Sequence, residues 1–241
     1  MKEYNVPEEV KETVLKALTG FNLYAVYLTG SRSYGFYDED SDYDMLAFVV
    51  PSKQDLFLGK PMVSKVVKTN NPLVEQVVVR DVRFLLNYLK KPTFSMLFLY
   101  QEPCLQFGEK LFDKGDAMDG LFYGRKNFLL SLGGVYTQRV KQGTTKDKAH
   151  ALYLEQLFDF ALQSPTLSGL KPEDCLAVRL GEKDYDFKES NFLLEKAKKY
   201  SDNLDATNFH MSLDKKMFRW LEHYYEECWL WNLRHWFTKT S

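Results

Sequence analysis

Two carboxylates one residue apart, Asp42 and Asp44, open an apolar segment and follow a turn of small residues that begins at Gly30. Alternate side chains of a β-strand point to the same side, so the two carboxylates can share one metal cluster. Mg²⁺ binds in proteins through a few carboxylates together with substrate phosphates. The turn offers backbone N–H groups and the Ser31 hydroxyl where a phosphate would lie. The spacing therefore predicts magnesium-dependent chemistry on a nucleoside triphosphate.

A third carboxylate, Glu75, lies inside an otherwise apolar run over residues 73–79. A charge in such a strand is costly without a partner, and a metal ion would be that partner. Two carboxylate-held metal ions stabilise the attacking and leaving oxygens of an in-line displacement at phosphorus. The sequence thus predicts catalytic residues that also bind two Mg²⁺ ions, with Mn²⁺ as the alternative: Asp42, Asp44 and Glu75. An exposed edge strand is the structural alternative for Glu75.

The elements that must position these residues are predicted from apolar periodicity and from the placement of Pro and Gly. A helix is predicted over residues 7–20. Three apolar segments are predicted to be strands, over 23–29, 45–50 and 73–79. The small-residue turn then lies directly after the first strand, and the two carboxylates lead into the second.

After about residue 120 the strand pattern gives way to helix-spaced apolar residues, and Gly133-Gly134 is expected to break one helix. We therefore predict an α+β fold. Its N-terminal α/β unit, a short mixed sheet with flanking helices, covers 1–115, and a helical domain covers 116–241. Aromatic residues near the C-terminus are expected to pack as a buried stripe instead of stacking on bases: Trp220, Tyr224, Tyr225, Trp229, Trp231 and Trp236.

Composition restricts the class of protein. The 241 residues carry a net charge of −1, so no basic field covers the whole surface. Three widely spaced cysteines suit a reducing compartment and favour neither a disulfide framework nor a zinc site. No signal-peptide pattern and no bilayer-spanning apolar run is present in the sequence. We expect a cytoplasmic protein without a membrane partner, and the oligomeric state is left open.

The motif GSRSYG at 30–35, followed by SDYD at 41–44 and an apolar strand, resembles the signature of the DNA polymerase beta-type nucleotidyltransferase superfamily. Within it, the chain resembles a bacterial and phage family of predicted nucleotidyltransferases, some associated with RNA repair. The resemblance implies a polymerase beta-like N-terminal unit that transfers NMP from an NTP, most simply ATP. The motif implies nucleotide-binding roles for Gly30, Ser31, Arg32 and Ser41. For Arg32, an ion pair with Asp38 or Asp40 is the alternative.

The resemblance extends into the second half of the chain. The family has a Lys and a His one turn apart at the start of a helix, and Lys146 and His150 have that spacing. It implies that both contact the triphosphate. A Lys-rich loop that opens a helix would also bind phosphate through its charge and the N-terminal N–H groups. Arg179 begins an Arg-Leu-Gly-Glu segment that resembles a further family element, for which the sequence indicates no role.

The acceptor of the nucleotide stays open at the level of sequence. The resemblance favours an RNA 3′ end, in RNA repair or modification, whereas the near-neutral net charge gives RNA no support. A protein side chain or a small molecule is the alternative acceptor. A non-catalytic nucleotide-binding module is the alternative outside the enzyme class.

Overall fold

The computed structural model describes residues 6–164, 170–201 and 204–239, with side chains as far as residue 227. Its strands are β1 (Leu23–Thr29), β2 (Asp44–Val49), β3 (Ser64–Asn71), β4 (Val74–Asp81) and β5 (Leu105–Gln106). Its α-helices are α1 (Glu8–Ala17), α2 (Gly30–Tyr34), α3 (Lys53–Phe57), α4 (Phe84–Lys90), α5 (Lys114–Tyr123), α6 (Arg125–Gln142), α7 (Thr145–Gln163), α8 (Pro172–Arg179), α9 (Phe192–Lys199) and α10 (Thr207–Lys239). A 3₁₀ helix covers Phe94–Tyr100. Within these ranges no helix is both long and apolar enough to cross a membrane.

The chain has an α+β fold with one mixed sheet, in the order β3-β4-β2-β1-β5. β2 and β4 are parallel, and the other neighbouring pairs are antiparallel. The strands predicted from the three apolar runs are present as β1, β2 and β4. β3 lies at the sheet edge and is largely exposed, Lys65 and Lys68 among its exposed residues, so it carries no apolar run that would predict it.

The two faces of the sheet bury different cores. On one face Met45 and Ala47 pack with Val10 and Val14 of α1, in what we call the α1-side core. On the other face Leu46, Phe48 and the helices that follow the sheet form the helical-side core, whose buried residues include Leu121, Leu129 and Leu157. The alternation along β2 places Asp44 on the same face as Leu46 and Phe48. The first residue of β2 therefore faces the helical half of the protein.

The expected helix break at Gly133-Gly134 is wrong, because α6 runs through both glycines. A Cβ added to Gly133 would lie 2.7 Å from Cα of Leu194, so the glycine allows α9 to approach α6 closely. The helical segment is instead divided between α5 and α6 at Gly124, where an added Cβ would overlap Pro92.

The aromatic residues of α10 pack against the helical-side core as far as their side chains are described. Trp220, Tyr224 and Tyr225 are partly buried against that core, which confirms the packing prediction for them. Trp220 lies edge-on to Tyr24 of β1, with ring centroids 5.1 Å apart. The side chains of three further residues named in that prediction lie outside the described set: Trp229, Trp231 and Trp236.

Candidate active site

The turn between β1 and α2 and the first residue of β2 form one compact site. Thr29 pairs with Asp44 across the two strands, and its hydroxyl donates a hydrogen bond to the Asp44 carbonyl at 3.0 Å. Gly30 follows with a φ of 68°, in the left-handed region that glycine adopts readily. A Cβ built on Gly30 would overlap the Asp44 carboxylate. Only glycine therefore lets this carboxylate lie directly against the turn.

Asp42 and Asp44 are close enough for their charges to interact. Burial raises the pKa of Asp44, the negative charge of Asp42 raises it further, and the charge of Lys146 acts in the opposite direction. Tyr43, between them, packs against the α1-side core, which leaves the two carboxylates on the other side of the chain. Asp44 remains accessible to solvent. A divalent cation would relieve the repulsion between the two carboxylates, and their oxygens are the ligands that Mg²⁺ prefers.

A β-bulge in β4 lies opposite Asp44. The regular parallel register sets Met45 beside Val77, so the N–H of Tyr43 should donate to the carbonyl of residue 74. It donates instead to the carbonyl of Leu73, at 2.7 Å. β4 therefore contains one extra residue here, and Glu75 and Gln76 together oppose Asp44.

The structure does not complete the predicted cluster of three carboxylates. Glu75 is exposed, and Asp42, not Glu75, is the carboxylate whose charge acts on Asp44. Among the described residues there is no group of three His, Cys, Asp or Glu side chains arranged to hold a metal ion. The structure thus brings Asp42 and Asp44 together and leaves Glu75 at the rim.

The first turn of α7 supplies a positive charge to the site from the helical half. Thr144 caps the helix in a reciprocal arrangement with Asp147: each backbone N–H donates to the other's side chain, both at 3.2 Å. Arg139 Nη1 also donates to Asp147 Oδ1, at 3.0 Å. This capped turn carries Lys146, which is exposed and whose charge acts on Asp44. Lys146 therefore lies near the carboxylate pair, although its sequence position is about 100 residues away.

His150 lies one turn further along α7 and is almost fully buried. Its Nδ1 is 2.8 Å from the Lys146 carbonyl, and its ring meets Phe36 edge-on at 4.9 Å. Burial, aided by the charges of Arg139 and Lys146, lowers the pKa of His150 to about 4. The imidazole is therefore neutral at pH 7, with Nδ1–H donating to the carbonyl. His150 supports the turn that carries Lys146, and the predicted contact of His150 with a triphosphate stays a prediction.

Arg32 is occupied by the loop that leads to the carboxylates. Its Nε and Nη2 donate to the carbonyl of Ser41 at 2.9 and 2.6 Å. Its guanidinium lies over the rings of Tyr43 and Tyr37, at 4.0 and 4.7 Å from their centroids. The structure therefore assigns Arg32 to the loop backbone, next to Asp42, where the sequence had left a phosphate or a neighbouring carboxylate as its partner.

Ser41 was predicted to bind nucleotide, but its hydroxyl is used within the protein. The hydroxyl donates to Asp38 Oδ1 at 2.6 Å and accepts from the Asp38 N–H at 3.2 Å and from Arg179 Nη2 at 2.9 Å. A hydroxyl has one donor and two lone pairs, so this set is complete. Ser41 is also only 6% exposed. It holds the loop in shape, and Arg179, from the segment without a predicted role, is one of its partners.

Ser31 is the buried residue that follows Gly30 at the start of α2. Its carbonyl accepts hydrogen bonds from the N–H groups of Gly35 and Phe36 at 3.0 and 3.3 Å, which closes the short helix. Gly30 lies directly against the Asp44 carboxylate, and Ser31 follows it in the chain. Their binding of phosphate stays a prediction.

No family model matches the chain, and a search of the curated proteins finds no match. The resemblance to nucleotidyltransferases is therefore carried by the motif residues at 30–44. The site combines two interacting carboxylates, a glycine against which one of them lies, and a lysine from the second half of the protein.

Proposed function

We propose that this protein is a metal-dependent nucleotidyltransferase that moves NMP from an NTP, most simply ATP, to an acceptor. The observation that carries the proposal is the Asp42–Asp44 pair, with one carboxylate lying against Gly30 and with Lys146 near it. Attack on an α-phosphate builds negative charge on the attacking and leaving oxygens. A site that combines a cation-binding carboxylate pair with a lysine suits that distribution of charge.

The carboxylates fit a divalent cation by the chemistry of their donor atoms. Burial and the neighbouring Asp42 raise the pKa of Asp44, and a bound cation would favour its ionised form. Asp42 and Asp44 would hold the metal, and Glu75 would be a further ligand from the bulge. Bound Mg²⁺ supplies neutralisation of the phosphate oxygens.

The protein's own groups have separate roles in this proposal. Lys146 attracts the phosphates of the donor through its charge, and Gly30 leaves room for the Asp44 carboxylate. One carboxylate of the pair helps to remove the proton from the attacking hydroxyl. Arg32 fixes the carbonyl of Ser41 and so the backbone immediately before Asp42.

The direct test is transfer of label from each of the four α-³²P-labelled NTPs to RNA, protein and small-molecule acceptors in the presence of Mg²⁺. We expect the double variant Asp42→Ala, Asp44→Ala to lose transfer by at least about a thousandfold, a typical size for the loss of essential catalytic groups. Asp40→Ala, an exposed carboxylate in the same loop, is the matched control and should retain activity. Unchanged transfer by the double variant would rule the proposal out.

An RNA 3′ end is the acceptor that the motif resemblance favours. Binding of RNA should weaken steeply as salt rises, since each neutralised phosphate releases counterions. Binding with little salt dependence, or transfer only to a protein or a small molecule, would favour the alternative acceptors.

A nucleotide-binding module without catalysis is the second candidate. The observation that favours it is that, within the described part of the chain, Glu75 does not join the two aspartates in a metal-ligating group. Binding of NTP and Mg²⁺ without transfer to any acceptor in the panel would support this candidate over the enzyme.

A further inference from the structure

Arg179 connects the helical half of the protein to the loop that carries the carboxylate pair. It is the last residue of α8, and its Nε and Nη2 donate to the two oxygens of Asp38 at 2.6 and 2.9 Å. Nη2 also donates to the Ser41 hydroxyl at 2.9 Å. The contacts join residues more than 130 positions apart in the sequence, and one partner, Ser41, immediately precedes Asp42.

The loop is held from two sides at Ser41. Arg32 of α2 binds the Ser41 carbonyl, and Arg179 of α8 binds the Ser41 hydroxyl and Asp38. The Asp38 N–H and the Ser41 hydroxyl close a short turn between those residues. The direction in which Asp42 leaves this turn is therefore fixed by two arginines from different elements.

α8 is itself fixed to the helix that carries Lys146. Gln156 of α7 accepts a hydrogen bond from the N–H of Lys171 at 2.8 Å, just before α8 begins, and Cys175 is fully buried. Arg179 and Lys146 thus belong to two helices, α8 and α7, that pack together. A contact from Arg179 to the loop sets the position of these two helices relative to the carboxylates.

The energetics of Arg179 argue for a role beyond stabilising the fold. Its side chain is 9% exposed, and its Nη1 is buried without a hydrogen-bond partner. A buried, unsatisfied donor carries a desolvation cost. Replacing a buried ion pair by apolar groups is often neutral or stabilising, so such a pair is weak evidence for a role in stability.

We propose that Arg179 is a positioning residue, which holds the Asp38–Ser41 turn so that Asp42 and Asp44 form one cation site. The inference rests on the proposed function only in taking that pair as the metal site. It gives the Arg-Leu-Gly-Glu segment a physical role, through its arginine.

The test is a titration of the 241-residue protein with Mn²⁺ alone, followed by the electron paramagnetic resonance signal of the free ion, with thermal unfolding measured in parallel. We expect Arg179→Met to weaken Mn²⁺ binding about tenfold, the lower end of what loss of a group supporting a metal ligand causes. Its melting temperature should change little, because Asp38 is 30% exposed and can be hydrated. Arg179→Lys should recover part of the affinity, and Asp38→Asn should weaken binding in the same direction.

Arg83 offers a matched control. Its Nε and Nη2 donate to the two oxygens of Asp81 at 2.9 and 2.7 Å, the same fork geometry. Asp81 pairs with Val49, at the end of β2 opposite to Asp44. Because Asp81 is only 1% exposed, Arg83→Met should lower the melting temperature and leave Mn²⁺ affinity unchanged.

The outcomes separate the two proposals. Wild-type Mn²⁺ affinity in folded Arg179→Met and in Asp38→Asn would overturn the positioning role and leave the proposed function standing. Equal weakening by Arg83→Met would also overturn it, since the effect would then be a general loss of structure. If Asp42→Asn with Asp44→Asn does not reduce Mn²⁺ binding, the pair is not a cation site, and both proposals fail together.

Discussion

Asp44 occupies a position that disfavours its own charge. Its carboxylate lies against Gly30, and burial and the charge of Asp42 both raise its pKa. The folded protein therefore binds this proton more tightly than the unfolded chain does. The free energy of unfolding falls as pH rises through the unfolded-state pKa toward the raised folded-state pKa, and the loss persists at neutral pH.

We accordingly expect Asp44→Asn to raise the melting temperature at neutral pH without divalent ions. The rise should be small, because the residue is exposed and its charge is screened by solvent. Mg²⁺ should stabilise the wild type and not the variant, since only the wild type would bind it. Thermal unfolding in EDTA and in saturating MgCl₂ measures both effects, and Asp40→Asn should behave like the wild type. A variant less stable than the wild type in EDTA would contradict the argument.

His150 gives a pH dependence of the opposite sign. Its pKa is lowered from 6.5 to about 4, so its contribution to stability is complete above pH 6.5 and is lost as pH falls toward 4. We expect the wild type to lose up to about 1.4 kcal/mol per pH unit within this window from His150. His150→Gln should flatten that part of the profile in urea unfolding.

At the scale of residues, features set by neighbouring residues could be predicted from the sequence. Features that depend on contacts between residues distant in the sequence could not. The proximity of Asp42 to Asp44 follows from their separation of two residues just before and at the start of β2, which is a local feature of the sequence. The position of Glu75 depends on a bulge in the ladder between β2 and β4, which no local pattern encodes. The use of Ser41 within the protein depends on Arg179, 138 residues away.

At the scale of elements, alanine substitutions of two adjacent glycines of α6 are expected to change the free energy of unfolding in opposite directions. An added Cβ at Gly133 would lie 2.7 Å from the Leu194 Cα, a backbone atom that cannot move aside alone, whereas Gly134 has nothing within 4 Å. Gly133→Ala should therefore lower the free energy of unfolding by about 2 kcal/mol through overpacking. Gly134→Ala should raise it by up to about 1 kcal/mol through helix propensity. Urea unfolding measures both, and shifts of the same sign would contradict the close approach of α9.

The elements themselves were predictable where burial was regular. β1, β2 and β4 each carry a run of apolar residues because they lie inside the sheet or against a core on both faces. No apolar run predicted β3, because an edge strand buries little apolar surface. The predicted helix break at Gly133-Gly134 is wrong for a different reason. A glycine can mark close packing between helices as well as the end of a helix.

At the scale of the whole molecule, α10 is hydrogen-bonded to the segments that follow β2 and β5. The Trp220 indole N–H donates to the Glu109 carbonyl at 3.0 Å, and the hydroxyl of Tyr225 donates to the Pro51 carbonyl at 2.5 Å. Trp220→Ala should lower the free energy of unfolding by about 2 kcal/mol, less than for a fully buried tryptophan. Phe218→Ala, at a residue that is 62% exposed on the same helix, should cost far less.

The same pair of variants tests whether Trp220 stacks on bases. Its ring already contacts Tyr24 and Tyr224, with centroids 5.1 and 5.2 Å away. We therefore expect Trp220→Ala to leave NTP affinity unchanged under conditions in which it remains folded. Fluorescence titration with a labelled NTP would show this, and a selective loss of affinity would favour a nucleotide-binding role for the aromatic residues of α10.

The helical-side core extends across both halves of the chain. Phe48 and Leu85 come from the first 115 residues, and Leu129 and Leu157 come from the rest, yet they belong to one buried cluster. Because neither half can bury its share of this apolar surface alone, we expect one cooperative unfolding transition, with equal calorimetric and van't Hoff enthalpies. Gly133→Ala, which perturbs only the helical half, should lower that single midpoint. If it instead split the transition into two, with the sheet melting at its wild-type temperature, the two halves would be independent folding units, and the hydrogen bonds from Arg179 to Asp38 and Ser41 would have to survive without a shared core.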